Sequence, residues 1–160
     1  MINELPVRKP NRLKGYNYRQ NGKYFVTICA KNRLELFSTI DVGAASCRPR
    51  FTNVGKIIED EVAVLSHTYQ DVSVERHVIM PNHIHMIICI NHIDNGRQNT
   101  APTLSQMINQ WKRAISIKIG YSIWQKSFHD HIIRNDIEYT IIANYIQCNP
   151  ETWKIDCFYQ

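Results

Sequence analysis

Two neighbouring runs of β-forming residues, at 72–80 and 83–90, constrain the fold of this chain more than any other feature. In each run the side chains alternate with a period of two, as expected for a strand whose successive residues face opposite sides of a sheet. Pro81 and Asn82 stand between the runs and favour a turn. The sequence therefore predicts a β-hairpin over residues 72–90.

The segments before the hairpin predict one strand and one helix. Residues 24–29 are rich in β-branched and aromatic side chains, which indicates a buried strand. Residues 41–52 contain glycine, serine and proline and predict a loop. Apolar residues at helical spacing then predict a helix over 54–66, whose acidic residues 59–61 we expect to face solvent.

Capping residues define the helices after the hairpin. Thr103 and Gln106 form a capping box for a helix that ends at a glycine cap, Gly120. A strand is predicted over 127–134. The last helix begins with an Asn-x-x-Glu cap at Asn135 and ends before the next proline.

The resulting order, β-α-β-β-α-β-α, predicts an α+β fold: one mainly antiparallel sheet with helices packed against it, in a ferredoxin-like layout with extra elements. We expect a single domain over residues 1–160, with an irregular basic arm at 1–22. No apolar run approaches the ~20 residues of a membrane span, and no signal peptide is expected. The five scattered cysteines contain no CxxC pair, which argues against a disulfide framework or a zinc ribbon and favours a cytoplasmic location.

Positive charge is concentrated near the start of the chain. The net charge of the whole chain is +5, and residues 5–34 contain no acidic residue. Eight basic residues lie in this segment: Arg8, Lys9, Arg12, Lys14, Arg19, Lys23, Lys31 and Arg33. Cations neutralise phosphates, and the interleaved Tyr16, Tyr18 and Tyr24 could stack on bases, so the composition is typical of a nucleic-acid contact. A basic, solvated tail explains the same composition.

His83 and His85 are the residues best suited to bind a metal ion. They are two positions apart on one predicted strand and therefore point to the same face, while Ile84 and Met86 point to the other face and into a core. Two adjacent imidazoles can share one metal ion. A His-x-His pair alone is a weak signal, and two half-exposed histidines at a hairpin are the alternative.

The last predicted helix contains Tyr145 and Asn149, four residues apart and so one turn apart on the same face. This helix, packed on the sheet, could bring a hydroxyl and an amide carbonyl near the histidines. A tyrosine on an inner helical face is more commonly a core residue with a satisfied hydroxyl. A second His-x-His pair, His129 and His131, has no evident partner ligand, so we expect a structural role, with His131 a candidate for supporting the metal ligands.

Four segments carry a resemblance to a known family. Residues 22–27 resemble its first strand, 78–85 its histidine motif, 124–135 the stretch before its last helix, and 145–150 its tyrosine helix. Together and in this order, they are similar to the HUH single-strand DNA transposases of the one-tyrosine type. More specifically, they resemble the REP-associated tyrosine transposases, relatives of the IS200/IS605 enzymes.

The resemblance implies an HUH endonuclease fold and metal-dependent cleavage and strand transfer of single-stranded DNA. Tyr145 would form a 5′-phosphotyrosine link and leave a free 3′-hydroxyl, while His83, His85 and Asn149 would hold Mg²⁺ or Mn²⁺. The expected partner is a DNA hairpin, and a homodimer is one of the open oligomeric states. The candidate DNA-binding residues lie in the arm and first strand: Arg8, Lys9, Arg12, Lys14, Arg19 and Lys23.

Two other functions stay open on the sequence alone. One is a DNA hairpin-binding module without catalysis, and the other is a metal-dependent nucleotide phosphohydrolase. A covalent protein–DNA adduct is expected only of the transposase-like enzyme.

Overall fold

A computed structural model of the chain describes residues 12–41, 47–92 and 102–159. These residues form strands β1 (Gly22–Cys29), β2 (Ser38–Thr39), β3 (Arg50–Phe51), β4 (Val72–Ile79), β5 (His83–Ile90) and β6 (His129–Ile133), and helices α1 (Asn53–Thr68), α2 (Leu104–Ile119) and α3 (Asp136–Cys148). The order β-α-β-β-α-β-α is confirmed, apart from a short extra pair in which β2 precedes the predicted loop and β3 lies within it. None of the described helices is long and apolar enough to cross a membrane.

The main sheet has four antiparallel strands in the order β4-β5-β1-β6, which confirms the predicted α+β, ferredoxin-like plan. The two central strands, β1 and β5, pair along their whole lengths. Their register places Cys29 opposite His83 and Thr27 opposite His85. The site residues of β5 therefore lie in the middle of the sheet and not at an edge.

The sheet has helices on both faces. Ile84, Met86 and Ile88 are at most 1% exposed and pack with β1 side chains against α1 and α2. Fully burying such a side chain stabilises the fold by about 1.5–3 kcal/mol. On the opposite face, Ile87 packs against Ile146 of α3. The alternation along β5 thus separates a large core from a smaller layer that contains the histidines.

The predicted alternation over residues 72–80 does not hold throughout β4. Val74 pairs with Ile88 and Arg76 pairs with Ile87, so Glu75 is an extra residue that forms a β-bulge. After a bulge, each side chain faces the opposite side of the sheet from the one that strict alternation predicts. As a result, Ile79 points into the core beside α1 and α2, and Val78 lies on the histidine face.

The predicted helix caps are confirmed. Thr103 caps α2 within a capping box, Gly120 ends α2 with φ 91°, and the Asn135 side chain accepts a hydrogen bond at the start of α3. The expectation that residues 59–61 all face solvent is wrong at Glu61, which is buried and forms an ion pair with Lys118. This pairing compensates the cost of burying the Glu61 carboxylate.

We expect Gly55→Ala to lower the free energy of unfolding by about 2–3 kcal/mol, because the added Cβ overpacks a tight contact. Gly55 lies in the first turn of α1, where an added Cβ would come 2.0 Å from the Phe37 carbonyl oxygen. Urea unfolding checks this against Lys56→Ala, an exposed neighbour that should change stability by no more than about 0.5 kcal/mol. Equal midpoints for the two variants would contradict the packing argument.

Candidate active site

His83 and His85 lie side by side on the face of β5 that α3 covers. Their ring centroids are 4.5 Å apart, and the two residues are 0% and 1% exposed. The alternative of two half-exposed histidines at a hairpin is therefore wrong. Two fully buried imidazoles need partners, because an unpaired polar atom away from water costs free energy.

The hydrogen bonds of His83 define its tautomer. Its Nδ1 lies 2.9 Å from Asn82 Oδ1, while Asn82 Nδ2 donates to the Phe158 carbonyl oxygen. An amide oxygen only accepts, so His83 Nδ1 carries the proton and Nε2 carries a lone pair. That Nε2 is buried and has no hydrogen-bond partner. A neutral imidazole held at one nitrogen and unpaired at the other is the usual state of a metal ligand.

His85 is held between a strand and a helix. Its Nδ1 lies 2.9 Å from Thr27 Oγ1 on β1, and its Nε2 lies 3.3 Å from the Tyr145 hydroxyl on α3. Thr27 is a site residue that the sequence analysis missed. Only the β1–β5 register places it opposite His85, and no local pattern indicates that register.

The predicted helical pair, Tyr145 and Asn149, lies next to the histidines. Tyr145 is 40% exposed, and its ring packs against Phe25 and His85. Asn149 is fully buried, and its Oδ1 has no hydrogen-bond partner. The structure thus brings together all four side chains predicted for catalysis and metal binding.

Asp156 is a further site residue that the sequence analysis missed. Its Oδ2 lies 3.2 Å from the Tyr145 hydroxyl and 2.9 Å from Asn149 Nδ2. Ligand atoms of Asp156, His83 and His85 all lie within 4.8 Å of one another. A pair of imidazoles and a carboxylate is a common donor set for a divalent metal.

The segment after α3 brings Asp156 to the site by folding back over the histidines. A short 3₁₀ turn, Trp153–Ile155, precedes Asp156. The Trp153 ring centroid lies 5.9 Å from that of His83, and the Phe158 centroid lies 4.4 Å from it. The aromatic character of residues 153–159 was the available signal for this packing, but spacing alone did not connect the segment to the histidines.

Burial and neighbouring charges shift the pKa values at this site. Burial, together with the positive charge of Arg33, lowers the pKa of His83 to about 3, and burial and His83 lower the pKa of His85. Both imidazoles are therefore neutral near neutral pH, which is the form that binds metals. Burial and the charge of Asp156 raise the pKa of Tyr145 to about 12, so its hydroxyl is protonated.

Two predicted DNA-binding cations have carboxylate partners within the chain. Arg12 forms an ion pair with Asp130, and its guanidinium carbon lies 3.9 Å from the centroid of the Phe128 ring. Lys23 Nζ lies 3.0 Å from a Glu75 carboxylate oxygen. These contacts attach the start of the chain to the sheet and partly neutralise its charge.

The remaining arm residues differ in their exposure. Lys14 is exposed and Arg19 is partly buried, while Arg8 and Lys9 lie outside the described residues. Tyr24 is fully buried, and the other two arm tyrosines pack against it, so the expected stacking of Tyr24 on bases is wrong. Its ring belongs to the core of the protein.

His131 lies on β6 and pairs with the last helix. Its Nε2 is 2.5 Å from a carboxylate oxygen of Glu138, in the first turn of α3. This hydrogen bond connects β6 to the start of α3 and does not involve His83 or His85. The contact favours a structural role for His131 in orienting α3.

The chain is similar to known proteins in sequence and in fold. The chain is 30% identical over 171 residues to an uncharacterized protein of Haemophilus influenzae, covering 95% of this chain and 93% of that protein. A REP-associated tyrosine transposase of Escherichia coli is 32% identical over 73 residues, or 46% of this chain and 41% of that protein. The solved structure of a REP-associated tyrosine transposase bound to a REP hairpin superposes with a TM-score of 0.64 at 20% identity, covering 87% of this chain and 72% of that one.

The chain is related to the Haemophilus protein over nearly its whole length, and it shares the fold of a REP-associated tyrosine transposase. No family model matches the chain. At 20% identity, the solved relative shows the shared fold, and the match to the Haemophilus protein shows that the likeness extends over nearly the whole chain. In this REP-associated tyrosine transposase fold, the histidines and the tyrosine lie on facing elements.

We expect the metal-free protein to lose about 2 kcal/mol of stability between about pH 7 and about pH 5, because the unfolded chain takes up a proton that buried His83 does not. The ordinary histidine pKa is 6.5 and that of folded His83 is about 3, so the stability is complete above the first value and is lost as the pH falls toward the second. Urea unfolding in EDTA should show a weaker pH dependence for His83→Gln. The exposed His67→Gln should retain the full dependence, and identical pH profiles for the two variants would refute this account.

Proposed function

We propose that this protein cleaves and rejoins single-stranded DNA, with Tyr145 as the nucleophile and Mg²⁺ or Mn²⁺ bound at His83 and His85. The observation that carries the proposal is the position of the Tyr145 hydroxyl, 3.3 Å from His85 Nε2 and beside the unpaired Nε2 of His83. The solved REP-associated tyrosine transposase that shares this fold is bound to a REP hairpin, which supports hairpin DNA as the substrate.

The residues present fit a divalent metal. His83 Nε2 and Asn149 Oδ1 are buried atoms without hydrogen-bond partners, and both can donate a lone pair. We propose His83, His85 and Asn149 as ligands, with the Asp156 carboxylate as a further donor within the same cluster. When bound, such a metal stabilises negative charge on a phosphoryl group and orients that group.

Tyr145 forms the covalent link in this mechanism. Its hydroxyl oxygen attacks the scissile phosphorus, the bond from phosphorus to the 3′ oxygen breaks, and that oxygen takes up a proton. The tyrosine proton passes to Asp156, whose Oδ2 lies 3.2 Å from the hydroxyl. The 5′-phosphotyrosine link retains the energy of the phosphodiester, so a second 3′-hydroxyl can attack it and rejoin the strand.

Packing orients the nucleophile before the substrate arrives. The Tyr145 ring centroid lies 5.2 Å from that of His85 and 6.1 Å from that of Phe25, so the ring is held on two sides. A nucleophile held in one position reacts faster because less freedom is lost in the transition state. A nucleotide hydrolase that uses water, or a binding module, needs no such tyrosine.

We expect Tyr145→Phe to abolish the covalent protein–DNA adduct, because the substitution removes the attacking oxygen and leaves the ring contacts in place. Denaturing gels of the protein with labelled hairpin oligonucleotides and Mn²⁺ would measure the adduct. Tyr121→Phe removes a hydroxyl from a tyrosine that is 58% exposed outside the site and should leave the adduct unchanged. Cleavage that survives in Tyr145→Phe with free phosphate products would favour the hydrolase. Tight binding without cleavage by the parent protein would favour the binding module.

We expect His83→Gln to reduce the affinity for Mn²⁺ by about 100-fold, because removing a direct ligand costs at least as much as the 10–100-fold loss typical of residues that support ligands. Asp156→Asn should weaken binding by about tenfold through the loss of a negative charge. Electron paramagnetic resonance of free Mn²⁺ would measure both affinities, with His67→Gln as the matched control. If all three variants bind Mn²⁺ as the parent protein does, the proposed metal centre is wrong.

A further inference from the structure

A polar groove of about 570 Å³ lies between the turn after β1 and the segment before β6. Seven residues line it: Lys31, Asn32, Arg33, Ser122, Trp124, Gln125 and Lys126. The groove adjoins the site, because Lys31 follows Cys29 by two residues and Cys29 pairs with His83. The Arg33 guanidinium carbon lies 5.6 Å from the centroid of the Phe158 ring, which itself packs on His83.

The charge of this groove is positive and uncompensated. Lys31, Arg33 and Lys126 are exposed, and within the described parts of the chain none of the three forms an ion pair. No acidic side chain is among the described lining residues. Arg12 and Lys23, by contrast, have carboxylate partners, so their charges are less available to a ligand than those of the three groove cations.

Hydrogen bonds hold the two walls of the groove together. Lys31 N donates to the Ile123 carbonyl oxygen at 2.8 Å, and Gln125 N donates to the Cys29 carbonyl oxygen at 2.9 Å. Beneath one wall, the buried ammonium of Lys112 donates to the Gln125 carbonyl oxygen at 2.7 Å. The groove is therefore formed before any ligand binds, which reduces the entropy that binding costs.

The backbone of one wall is in an unfavourable conformation. Asn32 and Arg33 both have φ 55°, in the left-handed region that glycine adopts far more readily than an arginine. Strained residues of this kind cluster at functional sites. At Arg33 the strained backbone directs a guanidinium toward the site, where its charge contributes to the lowered pKa of His83.

We propose that this groove binds backbone phosphates of the single DNA strand that enters the site of Tyr145. Three exposed cations line this polar cleft. Guanidinium and ammonium groups are the usual hydrogen-bond donors to phosphate, and their charges neutralise it. Trp124 is only 7% exposed and offers little surface for base stacking, so the contact is to the backbone and independent of base sequence. The inference rests on the proposed function for the identity of the strand.

The test is binding of a fluorescein-labelled oligothymidylate, measured by anisotropy over a range of NaCl concentrations. The protein carries Tyr145→Phe, and the buffer contains EDTA, so neither cleavage nor metal is needed for the readout. Lys31→Gln/Lys126→Gln should weaken binding about tenfold and reduce the salt slope by about 1.4, the value for two phosphate contacts on a single strand. Arg33→Gln should reduce the slope by about 0.7.

The matched control is Lys56→Gln/Arg113→Gln, which removes the same charge from exposed positions on α1 and α2. It should leave the salt slope within about 0.3 of the parent value. If the groove variant and the control lose equal amounts of affinity and salt slope, the proposed phosphate binding in the groove is wrong and the effect is one of general charge. If the covalent adduct forms with Tyr145 intact while the groove variants bind normally, the proposed function stands and the strand takes another path.

Discussion

The pairing of β1 with β5 is the interaction on which the rest of the structure depends. This central ladder sets which side chains of β5 enter the large core and which face α3. It also brings Thr27 opposite His85, so the same hydrogen-bonded register that builds the core orients a site histidine. The sheet therefore positions both histidines, while α3 and the segment after it supply Tyr145, Asn149 and Asp156.

Burial gives the site its chemical character. In water, an imidazole and a phenol would each titrate at their ordinary pKa, but here desolvation keeps both histidines neutral and Tyr145 protonated. The neutral histidines are ready to donate lone pairs, while the tyrosine needs a nearby acceptor for its proton. Asp156 lies at hydrogen-bond distance from that hydroxyl, so a single carboxylate connects the proposed nucleophile to the candidate metal-binding cluster.

Local patterns in the sequence predicted the element order and the helix caps, and together with the family resemblance they indicated four candidate site residues. Period-two spacing places His83 and His85 on one face, and helical spacing aligns Tyr145 with Asn149, because both geometries are set by the residues themselves. Thr27 and Asp156 could not be predicted in this way. Thr27 depends on the register of two distant strands, and Asp156 depends on how the chain reverses after α3.

Local patterns also could not predict which charged groups are buried or already paired. Glu61 has the spacing of a solvent-facing residue, yet Lys118 of α2 allows it to be buried. Lys31 and Arg33 of the groove were visible as part of the basic segment 5–34, but composition did not distinguish them from Arg12 and Lys23. Only the tertiary structure shows which cations already have carboxylate partners.

The bulge at Glu75 shows where this fold can change length during evolution. An extra residue in β4 shifts the phase of that edge strand alone, and the neighbouring strand keeps its pairing with β1. An extra residue within β5 would exchange its histidines with the isoleucines of the core, so one event would remove both the site and the packing. Single insertions and deletions in descendants of this gene should therefore survive at the edge of the sheet, whereas the length of the central strand is inherited unchanged.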